Sequence, residues 1–392
     1  MKNTTVLISG AGVAGIALAY WLRRHGHTPT VVERAADIRD GGYKIDIRGA
    51  ALAVVERMGL LDEIRARVTD VRVGSVVDRT GRRVASMDGD TFGGREHGDA
   101  ELLRGDLHRL LFQATEGVEY LWRDSIADLT DTGGGVDVTF ASGERRTFDL
   151  VVGADGLHSA TRASVFGPER DHVRDLGYRV SIFSVPNHLD LDREELTYVS
   201  PGRTVLMYAT AQEVGAKAMF LFADDTPLTG DGRAVVADRY RDEGWEVGTL
   251  LSHVTTAPDF YLDSLSQVHM DRWARGRVAL VGDAAYCAST ASGQGTSLAL
   301  VGAYVLAGEL AAAADHDAGF AAYEAAMREF VEVNQKLGPA NIKRMVLASS
   351  LQVRLSMLFL SLLSKLPGKD RMIAKAVAPI HRAANAIELK DY

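Results

Sequence analysis

The feature that most constrains this chain is a short apolar run near its N-terminus that is followed at once by closely spaced glycines. Thr5 to Ser9 is apolar and β-branched, which predicts a strand buried on both faces of a parallel sheet. The next residues are Gly10-Ala11-Gly12-Val13-Ala14-Gly15, and we predict a helix from Val13 to about Arg24. Glycines here permit a tight turn, a close approach of the backbone to a pyrophosphate, and close packing of the helix on the sheet.

A second predicted strand, Thr28 to Val32, ends in Glu33. A carboxylate at this distance from the glycines suits the ribose hydroxyls of an adenine dinucleotide, and the N-terminal amides of the helix suit its phosphates. The alternative is a glycine-rich turn in an unrelated α/β protein, which would leave the position of Glu33 to chance. The unit as a whole predicts a cofactor that contains ADP, and both NAD and FAD are open.

Composition excludes several other classes of protein. The 392 residues are enough for two or more domains, and the 46% hydrophobic and 24% charged content is typical of a soluble globular protein. The net charge is −8 with no run of basic residues, so we do not expect nucleic acid as a partner. Cys287 is the only cysteine, which excludes an intramolecular disulfide and a cysteine-based zinc site, and we predict no metal site.

Two segments bear on whether the protein is secreted, inserted in a membrane or cytoplasmic. Met1-Lys2-Asn3 leads directly into the first strand, so we expect no signal peptide and a cytoplasmic protein. Met345 to Leu363 is apolar, but Gln352 and Arg354 interrupt it. An arginine at the centre of a bilayer is unfavourable, so we expect a buried or interface helix there and no stable membrane insertion.

Two further apolar runs end in glycine and aspartate. Phe148 to Val152 is predicted to be a buried strand that ends at Gly153-Ala154-Asp155-Gly156, and Arg277 to Val281 is predicted to be another that ends at Gly282-Asp283. Between residues 170 and 267, strand-like runs alternate with turns and show no βαβ rhythm. This change indicates a second domain built on an antiparallel sheet.

With these motifs the chain resembles the class A flavin-dependent monooxygenases, the family of p-hydroxybenzoate hydroxylase. Within that family it is most similar to tetracycline-inactivating monooxygenases and actinobacterial polyketide-tailoring oxygenases. The resemblance rests on three motifs in order: Gly10–Gly15 with Glu33, Gly153–Ser159 with Arg162, and Gly282-Asp283 with Gly293-Gln294-Gly295.

The resemblance implies an α/β fold with a Rossmann-like (GR2-type) FAD-binding domain, an inserted antiparallel β-sheet substrate domain and a C-terminal helical segment. We expect the FAD-binding domain to be discontinuous. The expected ranges are residues 1–70, 99–172 and 270–335 for the FAD-binding domain, 71–98 and 173–269 for the substrate domain, and 336–392 for the C-terminal helices.

The resemblance also implies residues that hold a tightly bound, non-covalent FAD. Glu33 would bind the adenosine ribose, and Arg34 would lie beside the adenosine. Arg104 resembles an arginine that contacts FAD in this subgroup, and Asp46 resembles an acidic residue near the flavin.

Further roles are implied near the ends of the later strands. Asp283 would contact the ribityl–pyrophosphate region, and Asp155 would serve both FAD and the reductant, with a turn aspartate at a strand end as the alternative. The amides of Gly293, Gly295 and Thr296, at a helix N-terminus, would face the pyrimidine edge of the flavin and favour its anionic reduced form.

The substrate is expected between the antiparallel sheet and the flavin. Candidate lining residues lie on predicted strands, where alternating aromatics are also typical of plain core: Tyr178, Phe183, Met207, Tyr208, Phe220 and Phe222. Arg39 is a candidate contact for NAD(P)H, with a solvated loop arginine as an equal alternative.

One segment departs from the family. Its members commonly carry a proline between the Gly-Asp motif and the Gly-Gln-Gly, where this chain has Ala288-Ser289-Thr290-Ala291-Ser292. The loss of a fixed φ leaves the shape of this loop open.

The resemblance implies an FAD-dependent, NAD(P)H-consuming monooxygenase that inserts one oxygen atom from O2 into an aromatic or polyketide-type small molecule. We expect a role in secondary metabolism or antibiotic modification, and a monomer or homodimer. The cofactor carries the hard chemistry, which explains why no catalytic dyad is evident. Two alternatives are a non-oxygenating oxidoreductase or cyclase on the same FAD fold, and an NAD-dependent dehydrogenase.

Overall fold

The computed structural model of the protein describes residues 3–38, 42–96, 98–363 and 368–392. Its strands are β1 (Thr5–Ser9), β2 (Thr28–Glu33), β3 (Lys44–Ile47), β4 (Val73–Val77), β5 (Arg83–Asp88), β6 (Ala100–Leu103), β7 (Glu119–Trp122), β8 (Ile126–Asp131), β9 (Val136–Phe140), β10 (Arg145–Phe148), β11 (Leu150–Gly153), β12 (Val173–Val185), β13 (Glu194–Ser200), β14 (Arg203–Tyr208), β15 (Ala216–Ala223), β16 (Tyr261–Val268), β17 (Ala274–Arg275) and β18 (Val278–Leu280). Its helices are α1 (Val13–Arg24), α2 (Ala50–Arg57), α3 (Leu61–Arg65), α4 (Gly89–Gly93), α5 (Arg104–Gln113), α6 (Ala160–Phe166), α7 (Gly232–Tyr240), α8 (Val247–Ser252), α9 (Asp283–Tyr286), α10 (Gly295–Ala312), α11 (His316–Met345), α12 (Ser350–Leu363) and α13 (Lys369–Ala384).

The first predicted strand lies in a six-stranded sheet with the order β17-β18-β11-β1-β2-β7. All neighbours in it are parallel except β17, which pairs antiparallel with β18 at one edge. Val6, Leu7 and Ile8 have no exposed surface, because helices cover one face and the antiparallel β8–β9–β10 sheet covers the other. The predicted parallel strand buried on both faces is therefore confirmed, as is the helix α1.

The long helix α10 forms the centre of the core and packs against α1, α2 and α11. Among the described residues it is the one helix that by itself is long and apolar enough to cross a membrane, and its 18-residue stretch is 78% buried inside the protein. α11 and α12 pass the same test only as a pair, and they are bent by 92°. A core position accounts for a helix that is apolar on all sides.

Two predicted boundaries differ from the structure. β10 ends at Phe148 and β11 begins at Leu150 in a different sheet, so the predicted single strand from Phe148 to Val152 is wrong. Asp149 separates the two strands, and its carboxylate accepts hydrogen bonds from the backbone N–H and the hydroxyl of Thr5 at 2.7 and 2.8 Å. α11 continues past Pro339, so the expected domain limit at residue 335 falls inside a helix.

The region from 173 to 268 forms most of a seven-stranded sheet with the order β16-β12-β15-β14-β13-β4-β5. Its pairs are antiparallel except for β4 and β13, which are parallel, so the sheet is mixed. The short helices α7 and α8, which were not predicted from the sequence, cover one face. Ile342 and Val346, at the C-terminal end of α11, cover the other. An α/β fold with a second β-sheet domain and C-terminal helices is confirmed.

The last helices lie at the surface. α12 packs against β5 and β13, and α13 packs against α11. Within α12 only Leu363 is buried, and apolar side chains on its outer side are about half exposed or more. Of the two expected placements, a buried helix is wrong for α12, because none of the described elements covers that side, and an interface helix stays a prediction.

Candidate functional site

The three glycine-containing motifs meet at the carboxyl edge of one sheet. β1, β11 and β18 are neighbours, and each motif follows the end of one of these strands. A Cβ atom on Gly10 would lie 2.7 Å from the carbonyl oxygen of Ala154, and one on Gly282 would lie 2.8 Å from the Cβ of Ala14. The first loop is thus in backbone contact with the second, and the third packs against the first turn of α1. Ligands of α/β sheets bind at this edge.

The first loop is held from both sides. Glu33 accepts hydrogen bonds from the backbone N–H groups of Ala11 and Ala35, both at 2.9 Å. The buried ring of His108, on α5, contacts the carbonyl oxygen of Ala11 through Nε2. His108 was not predicted, because nothing local to it in the sequence indicates that α5 packs against a loop 97 residues earlier. Glu33 therefore lies directly against the loop that it was predicted to serve.

The glycines of this loop face different surroundings. A Cβ on Gly15 would lie 1.9 Å from the carbonyl oxygen of Gly10, so a side chain there would push α1 away from the sheet. Gly12 precedes α1 with an ordinary φ of −77°, and a Cβ added to it would meet no atom within 4 Å. Val13, at the first position of α1, is half-buried. The open space beside Gly12 and the first amides of α1 fits an approaching phosphate group.

Asp155, in the second motif, is engaged within the protein. Its carboxylate accepts hydrogen bonds from the hydroxyl of Ser159 at 2.5 Å and from the backbone N–H and hydroxyl of Thr161 at 3.0 Å. These bonds are those of a turn aspartate that orders the start of α6, which is the alternative considered for it. Its backbone still borders the first loop, because a Cβ on Gly10 would lie 3.0 Å from the Cα of Asp155.

Arg162 joins the second motif to the third. Its side chain is fully buried, and its guanidinium donates to the carbonyl oxygens of Leu157 at 2.7 Å and Ala284 at 3.0 Å. Arg162 is part of the second motif, but no role was predicted for it from the sequence. The structure shows that it fixes the two loops to each other.

Asp283 lies close enough to Arg104 and Tyr43 to interact with both, and the open space beside these three residues is here called the cleft. Asp283 keeps accessible surface, yet protein surrounds it, and this limited solvation raises the pKa of its carboxyl group, while Arg104 acts to lower it. Tyr43 lies near both of these charges, and Tyr261 lies near Arg104 and Asp263; limited solvation is the main cause that raises the pKa of each phenol. The structure therefore brings Arg104 and Asp283 together. The two tyrosines were not predicted, because Tyr43, just before β3, and Tyr261, the first residue of β16, come close only in the folded chain.

The N-terminus of α10 adjoins this cleft. Gly293 has a φ of +67°, and a Cβ on it would meet no atom within 4 Å. Its amide donates to the carbonyl oxygen of Thr290 at 3.1 Å, so it is already used within the turn. Gly295 and Thr296 are in the first turn of α10, where backbone N–H groups lack an acceptor within the helix. A Cβ on Gly295 would lie 4.0 Å from Oδ1 of Asp283.

The loop without the family proline has a defined shape. Thr290–Ser292 forms one turn of 3₁₀ helix, and the Ser289 side chain accepts a hydrogen bond from the Ala291 amide at 3.4 Å. Ser289 itself has a φ of +72°, a strained conformation for a residue with a side chain. Strain of this kind is found at functional sites when the surroundings hold it in place.

Side chains from two neighbouring elements hold this loop. Asn341 of α11 donates to the Ala291 carbonyl at 3.1 Å, and Gln267 of β16 donates to the Ala288 carbonyl at 3.2 Å. Gly338 of α11 is in backbone contact with the loop, because a Cβ on it would lie 2.8 Å from the Ala288 carbonyl oxygen. The rigidity that a proline would supply comes here from hydrogen bonds and close packing.

Other predicted cofactor residues lie in different surroundings. Asp46 pairs with Arg48 at 2.9 Å and lies 3.8 Å from Arg95, and burial raises the pKa of its carboxyl group. Arg34 is exposed. Arg39, the candidate for NAD(P)H, lies outside the described residues.

The predicted substrate residues separate onto the two faces of the large sheet. Four of them are buried in the core that α7 and α8 share with this sheet: Phe183, Met207, Phe220 and Phe222. They are not available to a pocket on the side of the flavin loop, which corrects the prediction. Tyr178 packs on the opposite face near Ala291, and the hydroxyl of Tyr208, also on that face, accepts a hydrogen bond from the Lys44 amide at 3.2 Å.

A charged cluster links the second motif to the large sheet. His158 lies between Glu169, at 3.0 Å from Nδ1, and Asp263, at 3.3 Å from Nε2. Hydrogen bonds to these two carboxylates raise the pKa of His158 to about 9. Asp263 also accepts a hydrogen bond from the Tyr261 hydroxyl at 2.8 Å, so the cluster reaches the cleft.

A separate cavity of about 900 Å³ lies beside β17 and α11, away from the three motifs. Its charged lining includes Arg174, Asp271 and Glu324, and Glu324 already accepts hydrogen bonds from two backbone amides. Volume alone does not make it the site, because the glycine loops and the strand carboxyl ends lie elsewhere.

Comparison with known proteins agrees with this geometry. The family described as FAD binding domain matches residues 3–337. A flavin-dependent monooxygenase of Legionella longbeachae is 38% identical over 343 residues, which cover 86% of this chain and 88% of that protein. The chain belongs to the FAD-dependent class A monooxygenases. An uncharacterized protein of Mycobacterium tuberculosis, Rv1260, is 49% identical over 348 residues, which cover 86% of this monooxygenase and 93% of the relative.

A solved structure is similar over its full length. The tetracycline destructase Tet(51) is 35% identical to this monooxygenase and has a TM-score of 0.87. The alignment covers 100% of both chains. FAD as the cofactor and a flavin-dependent monooxygenase as the class of enzyme are confirmed. The alternative of an NAD-dependent dehydrogenase is wrong.

Proposed function

We propose that this monooxygenase consumes NAD(P)H and O2 and inserts one oxygen atom into an aromatic or polyketide-type small molecule, in secondary metabolism or antibiotic modification. The observation that carries the proposal is the convergence of three motif loops at the carboxyl ends of β1, β11 and β18, in a chain that is similar to a tetracycline destructase over its whole length. A polycyclic, phenol-containing molecule of the tetracycline type is the substrate class we would test first.

We also propose which residues hold FAD. Glu33 and the open space beside Gly12 suit the adenosine and pyrophosphate, since the loop and the carboxylate are already in contact. Asp283 and the first amides of α10 suit the polar groups further along the cofactor, because they share one cleft with Arg104. FAD supplies the redox chemistry and the activation of oxygen when bound.

The protein residues would position the cofactor and exclude water. The amides at the N-terminus of α10 stabilise negative charge, which favours a reduced, anionic flavin. The sheet face that carries Tyr178 and Tyr208, together with the loop at Ala291, would bound the substrate. The domain ranges given above, a cytoplasmic location and a monomer or homodimer stay predictions.

The test starts from the FAD-loaded protein. NADH and NADPH oxidation would be followed with and without tetracycline-type phenols in ¹⁸O₂. We expect substrate-dependent oxidation and one labelled oxygen atom in the product. Oxidation of NAD(P)H that leaves every substrate of this class unlabelled would favour the non-oxygenating alternative.

A further inference from the structure

The outer side of α12 carries an unusual run of exposed apolar side chains. Leu351, Leu355, Leu358, Phe359 and Leu362 are 66%, 57%, 56%, 48% and 46% exposed. Leu358 and Phe359 are adjacent and the other steps are three or four residues, which puts all five on one side of the helix, here called the α12 stripe. Single exposed leucines are ordinary, but a contiguous apolar surface marks a site of interaction.

The same part of the chain has the opposite charge from the rest of the protein. Between residues 343 and 384 there are eight lysines and arginines and one acidic residue, whereas the whole chain has a net charge of −8. The described basic residues of this segment are all exposed: Lys343, Arg344, Arg354, Lys369, Arg371, Lys375 and Arg382. Exposed apolar and cationic side chains therefore occur in the same C-terminal segment of the chain.

Two occupants of the α12 stripe fit these observations poorly. A second copy of the chain in a twofold dimer would bring the two basic segments together, and like charges oppose that contact. A membrane-spanning arrangement needs about 20 residues, but α12 has 14, which extend for about 21 Å.

We propose that the α12 stripe and the exposed basic residues of the same segment dock this monooxygenase reversibly on a lipid surface that contains anionic headgroups. Leucine and phenylalanine side chains enter the boundary between headgroups and acyl chains, and lysine and arginine side chains contact the negative surface. The inner side of α12 rests on β5 and β13, so docking would bring the large sheet next to the bilayer. The proposal does not depend on which substrate the enzyme oxidises.

The experiment uses the FAD-loaded full-length protein and sedimentation with sucrose-loaded vesicles. One set of vesicles is pure phosphatidylcholine and the other contains about 30% phosphatidylglycerol, each in about 0.1 M and about 0.5 M salt. The test variant combines Leu355→Ser, Leu358→Ser and Phe359→Ser. The matched control combines Val214→Ser and Leu228→Ser, two exposed apolar residues that lie far from α12 in the sequence.

We expect the wild type and the control to partition into anionic vesicles in low salt, with at least tenfold weaker partitioning in high salt, in neutral vesicles and for the triple variant. Flavin absorbance and circular dichroism should be the same for all three proteins, since every changed residue is exposed. The proposal is overturned if the wild type stays with the supernatant, or if the triple variant sediments like the wild type. It is also overturned if the wild type is a dimer that the triple variant dissociates and neither protein binds vesicles.

Discussion

A methyl group added at Gly12 separates the requirements of folding from those of cofactor binding. In the protein alone, a Cβ there meets no atom within 4 Å and the φ of −77° suits alanine. Alanine is less favoured than glycine just before a helix, at about 0.5–1 kcal/mol. The smaller entropy of the unfolded chain offsets this by about 0.4–1 kcal/mol. We therefore expect Gly12→Ala to change the free energy of unfolding of the apoprotein by less than about 0.5 kcal/mol.

FAD binding should respond differently. If the pyrophosphate approaches the backbone at Gly12, the methyl group occupies space that the ligand needs, and we expect the dissociation constant of FAD to rise at least tenfold, or about 1.4 kcal/mol. The measurements are urea unfolding of the apoprotein and titration with FAD, followed by the quenching of flavin fluorescence.

Two other glycines give the comparison. A Cβ on Gly248, in α8, also meets no atom within 4 Å, so Gly248→Ala should leave both quantities within about 0.5 kcal/mol or slightly raise stability. Gly10 has a φ of +104° and would place its Cβ 2.7 Å from a carbonyl oxygen, so Gly10→Ala should prevent stable folding. If Gly12→Ala binds FAD as tightly as Gly248→Ala does, the phosphate does not approach this loop and the reasoning is refuted.

Three further results are expected. Arg162→Met should lower the free energy of unfolding by about 2–4 kcal/mol in urea, because two buried carbonyl oxygens lose their donors, and an unchanged midpoint would contradict the link between the loops. The pKa of His158 is raised to about 9, so its stabilising effect is complete below about pH 6.5 and is lost as pH rises through 9. About half of the His158 side chain is exposed, which limits the size of the effect. The wild type should therefore be more stable than His158→Gln by about 1 kcal/mol at pH 6 and by nearly zero at pH 10. Phe220→Ala should lower the free energy of unfolding by about 3–5 kcal/mol with little change in KM. Met219→Ala, on the opposite face of the large sheet, should change KM with a smaller loss of unfolding free energy. Equal KM values for the two variants would argue against a substrate on the face that carries Met219.

Local patterns were enough to predict the cofactor half of the protein. The strand, glycine loop, helix and Glu33 are contiguous, and each later motif follows its own apolar strand, so a sheet edge was predictable from the sequence. The large sheet was harder, because β13 pairs in parallel with β4, more than 100 residues earlier in the chain.

The side of that sheet on which a residue lies was not predictable either. Side chains alternate along a strand, so Phe220 and Met219 must lie on opposite faces of the sheet. Which face is buried in the core depends on where α7 and α8 pack. Those short helices have weak patterns of their own. Likewise, the contact of His108 with Ala11 depends on how α5 packs in the folded chain.

The contact between Gly338 and the loop around Ser289 has a mechanical consequence. At Gly338, α11 lies too close to the loop for a methyl group to fit. Three residues further on, the Asn341 side chain donates a hydrogen bond to the same loop. The next residue, Ile342, is packed into the large sheet. A displacement of the large sheet at Ile342 would therefore reach the loop through fewer than two turns of α11. The loop and the large sheet are therefore coupled through one short segment of α11, and we expect a substitution at Ile342 that shifts this segment to shift the loop as well.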